Sequence, residues 1–209
     1  NIYYFPNEDN ILFGYALIIG PENTPYQYGN YLFEFNFPNE YPYKPPIVKY
    51  LTNDGVTRFN PNFYKSGKVC LSILNTWDGE KWSACQSIRS ILITLQITMN
   101  NNPLLNEPGI NEIYHKNKIR IYNEIITYKN FSFTICHYLS NLTSIPIHNN
   151  EIINLMIESF LKNKKEIIKI IDNNNTETCL ELNIYNIKCK INYKNLLDIK
   201  KKLDIKKIE

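Results

Sequence analysis

An α+β fold, an antiparallel meander sheet with helices packed on one face, follows from three observations on this sequence. Period-two apolar stretches fill residues 11–51, prolines crowd residues 38–46, and from residue 86 onward apolar side chains recur at helical spacing. Residues 11–19 are almost continuously apolar and read as a buried strand, closed by the turn signals of Gly20-Pro-Glu-Asn-Thr-Pro-Tyr-Gln-Tyr-Gly29. Tyr31, Phe33, Phe35 and Phe37 alternate with Leu32, Glu34 and Asn36, which gives a second strand with an aromatic stripe. Pro38, Pro42, Pro45 and Pro46 then remove backbone donors and restrain their predecessors, so regular structure stops there. Residues 47–51 make a third strand, and the connections are short enough for antiparallel pairing.

Ile88, Ile91, Leu92, Leu95 and Met99 predict an amphipathic helix over 86–99, stopped by Asn100-Asn-Asn-Pro103. A second helix is expected over 110–128 and a shorter one over 131–139. We divide the chain into a core, residues 1–145, and a mainly helical C-terminal extension, residues 146–209. In the extension, Ile152, Met156, Phe160, Ile167, Ile170 and Ile171 mark a long helix that Asp172-Asn-Asn-Asn-Thr176 breaks. Alternation from Leu180 to Tyr193 predicts a hairpin, and residues 194–209 a Lys-rich amphipathic helix. The lysines at 162, 164, 165 and 169 read first as a solvated face and second as a partner-protein surface.

Composition excludes several classes. The 209 residues are 44% hydrophobic and 13% aromatic, as in folded proteins, and a net charge of +3 is too small to point to nucleic acid. Uncharged apolar runs fall short of the ~20 residues of a membrane span, and no signal-peptide pattern opens the chain. Neither nucleic acid nor membrane is an expected partner. Cys70, Cys85, Cys136, Cys179 and Cys189 form no Cys-x-x-Cys pair and no zinc pattern with the histidines, so free thiols, a reducing compartment and no metal are expected. The chain opens on Asn1 without an initiator Met and reads as a piece of a longer protein.

The chemistry concentrates around Cys70. Asn62 precedes it by eight positions, and Lys65-Ser66-Gly67-Lys68 between them reads as a turn, with Gly67 free to take positive φ. Such a turn brings a neutral amide donor toward a thiol that can carry an acyl group. No catalytic base follows nearby, which favours a thioester carrier over a protease. This reading requires the sulfur to be open to solvent with the amide beside it. Taken singly, a cysteine is an inert core residue and an asparagine a turn former, so the pattern carries the argument.

Gly20-Pro-Glu-Asn-Thr-Pro-Tyr26, Phe37-Pro-Asn-Glu-Tyr-Pro-Tyr-Lys-Pro-Pro46, Asn60-Pro-Asn62, Gly67-Lys-Val-Cys-Leu71 and Trp82-Ser83 stand in the order and spacing of ubiquitin-conjugating enzymes. From about residue 11 to 128 the chain resembles that family, with its UBC-like fold. Cys70-Leu-Ser-Ile-Leu-Asn-Thr-Trp77 and Asn106-Glu-Pro-Gly109 look most like the large hybrid subfamily that includes the giant inhibitor-of-apoptosis conjugase and combines carrier and ligase roles. The resemblance implies an acyltransferase: Cys70 accepts ubiquitin as a thioester from the activating enzyme and passes it to a substrate lysine. ATP is used by the activating enzyme, so no cofactor is expected. It further implies Asn62 as oxyanion or loop stabiliser, Glu107 as a lysine-orienting acid, Tyr43 and Trp82 as contacts for a ubiquitin ligase, and a cytoplasmic or nuclear location.

The chain departs from the pattern at several positions. Asn60 replaces the usual His, Ser72 the acidic residue two positions after the cysteine, and Ala84 a common Pro. The family's N-terminal helix has no counterpart here, and the full-length protein is expected to supply it. The alternatives are a non-catalytic ubiquitin-binding adaptor of the same fold and a carrier of another ubiquitin-like modifier.

Overall fold

The computed structural model describes residues 1–174 and 177–196. Four strands form an antiparallel sheet in chain order: β1 (Ile2–Pro6), β2 (Phe13–Ile19), β3 (Asn30–Asn36) and β4 (Ile47–Tyr50). Three of these match the expected strands; β1 is an addition. Ile-Tyr-Tyr-Phe-Pro at residues 2–6 is too short to show a period in the sequence, yet every residue of it pairs, from Ile2 with Ile18 to Pro6 with Gly14.

The aromatic stripe of β3 is buried and meets rings from elsewhere. Phe33 lies 5.3 Å from Phe63 and 5.5 Å from Tyr50, centroid to centroid, and Tyr26 lies 5.5 Å from Tyr31. Aromatic pairs at such distances, two of them edge-on, add to the apolar burial itself. On β4 exposure alternates, with Val48 and Tyr50 inward and Ile47 and Lys49 outward. On β2, Ala16, Leu17 and Ile18 are all buried in succession. Successive strand residues point to opposite faces, so β2 is covered on both, and its nearly continuous apolar run follows from that.

Helix α1 (Ile88–Thr98) starts at Ser87, whose side chain and that of Ser90 cap each other's backbone, and buries Ile91, Leu92 and Leu95. Helix α2 (Glu112–Lys129) is capped by Asn111. The helix expected separately over 131–139 is instead continuous with α2, through a π-helical stretch, Asn130–His137, into a last turn, α3 (Tyr138–Ser140). Nothing breaks the chain at Asn130: its backbone is helical, and its buried side chain accepts from Tyr31 Oη at 2.7 Å and donates to the Gln27 carbonyl at 2.9 Å. This anchor ties the widened turn to the sheet.

In the extension, α4 (Asn150–Asn173) is capped by Asn149 and ends in the asparagine run, as its sequence predicts. The predicted hairpin forms as β5 (Glu177–Leu182) and β6 (Ile187–Asn192), joined by a short turn at Asn183–Tyr185. Ile187, Cys189 and Ile191 are buried on one face of β6. Apolar residues of α4 and the hairpin belong to the same buried cluster as those of the sheet and of α1 and α2. The helix expected over 194–209 falls largely on residues 197–209, outside the described residues.

Candidate functional site

The turn predicted between Asn62 and Cys70 forms. Tyr64 N–H donates to the Lys68 carbonyl and Gly67 N–H to the Tyr64 carbonyl, both at 2.9 Å. Gly67 has φ +88°, and a Cβ there would sit 3.0 Å from Lys49 Cγ and 3.1 Å from the Tyr50 carbonyl. The arms pair through Phe63 and Val69, so Cys70 N–H reaches the Asn62 carbonyl at 2.9 Å. In return, Asn62 Nδ2 donates to the Cys70 carbonyl at 2.8 Å. The amide therefore holds the backbone of the thiol-bearing residue, not the sulfur itself.

The sulfur is not open, contrary to the requirement drawn from the sequence. Cys70 is 3% exposed, and its thiol donates to the Thr76 carbonyl at 2.9 Å. The cause is local: Ser72–Leu74 makes one tight turn and Asn75 takes φ 57°, which returns the chain over Cys70. Thr76 Oγ1 then fastens this loop, accepting from Leu71 N–H at 2.9 Å and lying 2.9 Å from the Val69 carbonyl. Residues 75–81, which carry the cover, are themselves exposed. A thiol is a weak donor, so the contact on the sulfur costs little to break.

Asn60, which stands in for the usual His, is fully buried. Its Nδ2 lies 2.9 Å from both Tyr26 Oη and the Thr98 carbonyl, and its Oδ1 accepts from Asn62 N–H at 2.9 Å. The Thr98 carbonyl also receives Asn106 Nδ2 at 2.9 Å. Two asparagine amides thus converge on the end of α1 and fasten the segments bearing Asn62 and Glu107 to one point. Glu107 follows a short turn, Pro103–Asn106, and its Oε2 accepts from Tyr185 Oη at 2.5 Å. Its partner is the hairpin of the extension, with neither Cys70 nor Asn62 bonded to it.

The two ligase-contact candidates separate. Tyr43 is 82% exposed. Trp82 is buried, donating its indole N–H to the Pro42 carbonyl at 2.7 Å and its backbone N–H to Asn75 Oδ1 at 2.9 Å. It joins the Cys70 loop to the proline segment, where Tyr41–Pro42 is cis. Of the other cysteines, burial pushes the Cys136 thiol up to about 12 and raises that of Cys189. His137 stacks on Phe133 at 5.2 Å. Among the described residues no group of His, Cys, Asp or Glu is arranged to hold a metal, and no helix is long and apolar enough to cross a membrane.

Sequence reasoning missed Thr76 and Tyr185. Thr76 lies six residues from Cys70, and its run of exposed neighbours gave no sign of a cover. Tyr185 lies 78 residues from Glu107, with no local signal at all.

The ubiquitin-conjugating enzyme profile matches residues 1–128. Ubiquitin-conjugating enzyme E2 Z of Danio rerio is 46% identical over 149 residues, which is 71% of this chain and 44% of that protein. Human E2 Z is 47% identical over 133 residues, 63% of this chain and 38% of that protein. The human dual E2 ubiquitin-conjugating enzyme/E3 ubiquitin-protein ligase BIRC6 is 47% identical over 100 residues, 45% of this chain and 2% of that protein. The E2 Z proteins match a longer stretch than the hybrid, so the likeness to them is the nearer one, and the chain spans less than half their length. The chain belongs to the ubiquitin-conjugating enzyme family.

Proposed function

We propose that this protein is a ubiquitin-conjugating enzyme that carries ubiquitin as a thioester on Cys70 and passes it to a substrate lysine. One observation carries the reading: Asn62 and Cys70 are locked opposite each other by reciprocal bonds, in a chain of this family. In the first step the Cys70 thiolate attacks the thioester on the activating enzyme, whose own thiolate leaves. In the second, the lysine ammonium gives up a proton to solvent water, and the free amine attacks the Cys70 thioester carbonyl. The C–S bond breaks, Cys70 leaves as thiolate, and the nitrogen loses a second proton, to solvent or to that thiolate, to become an amide. Asn62 keeps Cys70 in place and has a second N–H for the oxyanion; Glu107 holds the incoming ammonium. ATP is used upstream by the activating enzyme, and the cysteine chemistry needs no bound group. The 75–81 loop must lift Thr76 from the sulfur before either step.

Incubation with activating enzyme, ATP and ubiquitin gives a reductant-sensitive adduct that Cys70→Ala abolishes; an adduct that survives Cys70→Ala overturns the assignment. The covered thiol favours one second reading, a non-catalytic ubiquitin-binding adaptor. Ubiquitin binding without any charging would establish that alternative. Exposed Tyr43 is the contact we assign to a partner ligase, and a stimulated discharge lost in Tyr43→Ala tests it. Five free cysteines support a reducing, cytoplasmic or nuclear location.

A further inference from the structure

Tyr185 stands at the turn of the C-terminal hairpin, yet its hydroxyl meets the Glu107 carboxylate at 2.5 Å. The contact is part of a built cluster. The Arg58 guanidinium lies over the Tyr64 ring at 3.7 Å and the Tyr185 ring at 4.7 Å, so it sits between two aromatic rings. Arg58 Nη2 also donates to the Pro61 carbonyl at 2.5 Å, inside the Asn60–Asn62 segment. Tyr122, fully buried on α2, holds the Arg58 carbonyl at 2.8 Å and packs edge-on to Tyr185 at 5.9 Å. Six residue pairs of β5 and β6 close the turn, and Asn186 takes φ 52° to complete it. One side chain of the extension thus touches both the arginine behind the Asn62 segment and the carboxylate of Glu107.

We propose that Tyr185 is a positioning residue for the lysine-transfer step, holding Glu107 by one carboxylate oxygen so that the other meets the incoming ammonium. A half-buried glutamate on a loop samples several rotamers; one charge-assisted bond from a paired hairpin selects one of them. The hydroxyl bonds Oε2 only, which leaves Oε1 to accept. Burial, and then the Glu107 carboxylate beside it, push the Tyr185 phenol upward, so it stays a donor wherever the enzyme works. The C-terminal hairpin is then a working part of the site.

This inference rests on the conjugating-enzyme reading, and the test separates the two. Tyr185→Phe removes the hydroxyl and keeps the ring against Arg58. The variant is charged with ubiquitin, and its single-turnover discharge is followed with free lysine and with hydroxylamine, which is uncharged at neutral pH and has no ammonium to orient. Charging and hydroxylamine discharge stay at wild-type rates, while lysine discharge falls about tenfold, the worth of one hydrogen bond to a charged group. Glu107→Asp, which withdraws the carboxylate by one methylene, slows lysine discharge as well. Tyr185→Phe adds nothing further in a Glu107→Gln background, because the two act as one unit. Equal slowing of both nucleophiles, wild-type lysine discharge, or multiplying effects of the two substitutions overturn the positioning role. Wild-type protein that never charges overturns the conjugating reading itself.

Discussion

The two segments assigned to the proposed site, residues 62–70 and Glu107, are held on different length scales. Asn62 and Cys70 are eight residues apart and fix each other through backbone and amide bonds across one turn. Glu107 is fixed by Tyr185, 78 residues away, and by Asn106, whose amide reaches back to the end of α1. The Cys70 side is therefore assembled by local chain geometry, while the Glu107 side chain takes its hydrogen bond from the extension. A change on the first side should touch both chemical steps, and one on the second should touch only attack by the amine.

The largest expected effect is on the local side. Asn62→Ala slows lysine transfer by roughly 10²–10³-fold, the usual cost of one oxyanion donor, read by single-turnover discharge. A variant that loses stability but transfers at full rate would confine the amide to holding the loop. Next comes Asn60→Ala, which strips a partner from the Thr98 carbonyl, the Tyr26 hydroxyl and the Asn62 N–H together. Leaving such buried groups unpaired costs about 2–3 kcal/mol in urea unfolding. Asn60→His returns the family's residue and should recover part of it.

A smaller effect belongs to a distant tie. Lys129 at the end of α2 lies 2.9 Å from Asp54, whose carboxylate also accepts from Thr57 N–H at 2.7 Å. Burial alone would raise the Asp54 carboxyl, but Thr57 and Lys129 together hold it below its usual range. Its contribution to stability is therefore complete above about pH 4, the ordinary value in an unfolded chain, and is lost as pH falls through the lower folded value. Asp54→Asn costs about 1–2 kcal/mol at neutral pH and flattens the acid limb of a melting-temperature titration. An unchanged acid limb would remove Asp54 from the account. The smallest effect is at Tyr43, mostly solvated: Tyr43→Ala stays within about 0.5 kcal/mol of wild type and charges normally. A failure to charge would place Tyr43 outside the role of ligase contact.

The same difference in length scale decides what the sequence revealed. The turn at Gly67, the approximate spans of α1 and α2, the long helix ended by the asparagine run and the hairpin of the extension all rest on periods or turn signals within a few residues, and each was readable. So was the pairing of Asn62 with Cys70, although the amide proved to hold the carbonyl and not the sulfur. The continuity of α2 through Asn130 was not readable, because it depends on Tyr31 and Gln27, a hundred residues earlier in the chain. Neither was the cover over Cys70: a left-handed Asn75 leaves no periodic trace, and Thr76 acts through its backbone carbonyl. Trp82 looked like a surface contact from its motif, but its bonds to Pro42 and Asn75 and its ring contact with Tyr41 come from segments the motif does not show.

Thioester formation at Cys70 tests the central claim most directly. With activating enzyme, ATP and ubiquitin, the wild-type protein should gain one ubiquitin that thiol reductant removes, and Cys70→Ser should gain one that reductant leaves in place, since serine forms an oxyester. No adduct on the wild type, or one mapped by mass spectrometry to a different residue, would contradict it.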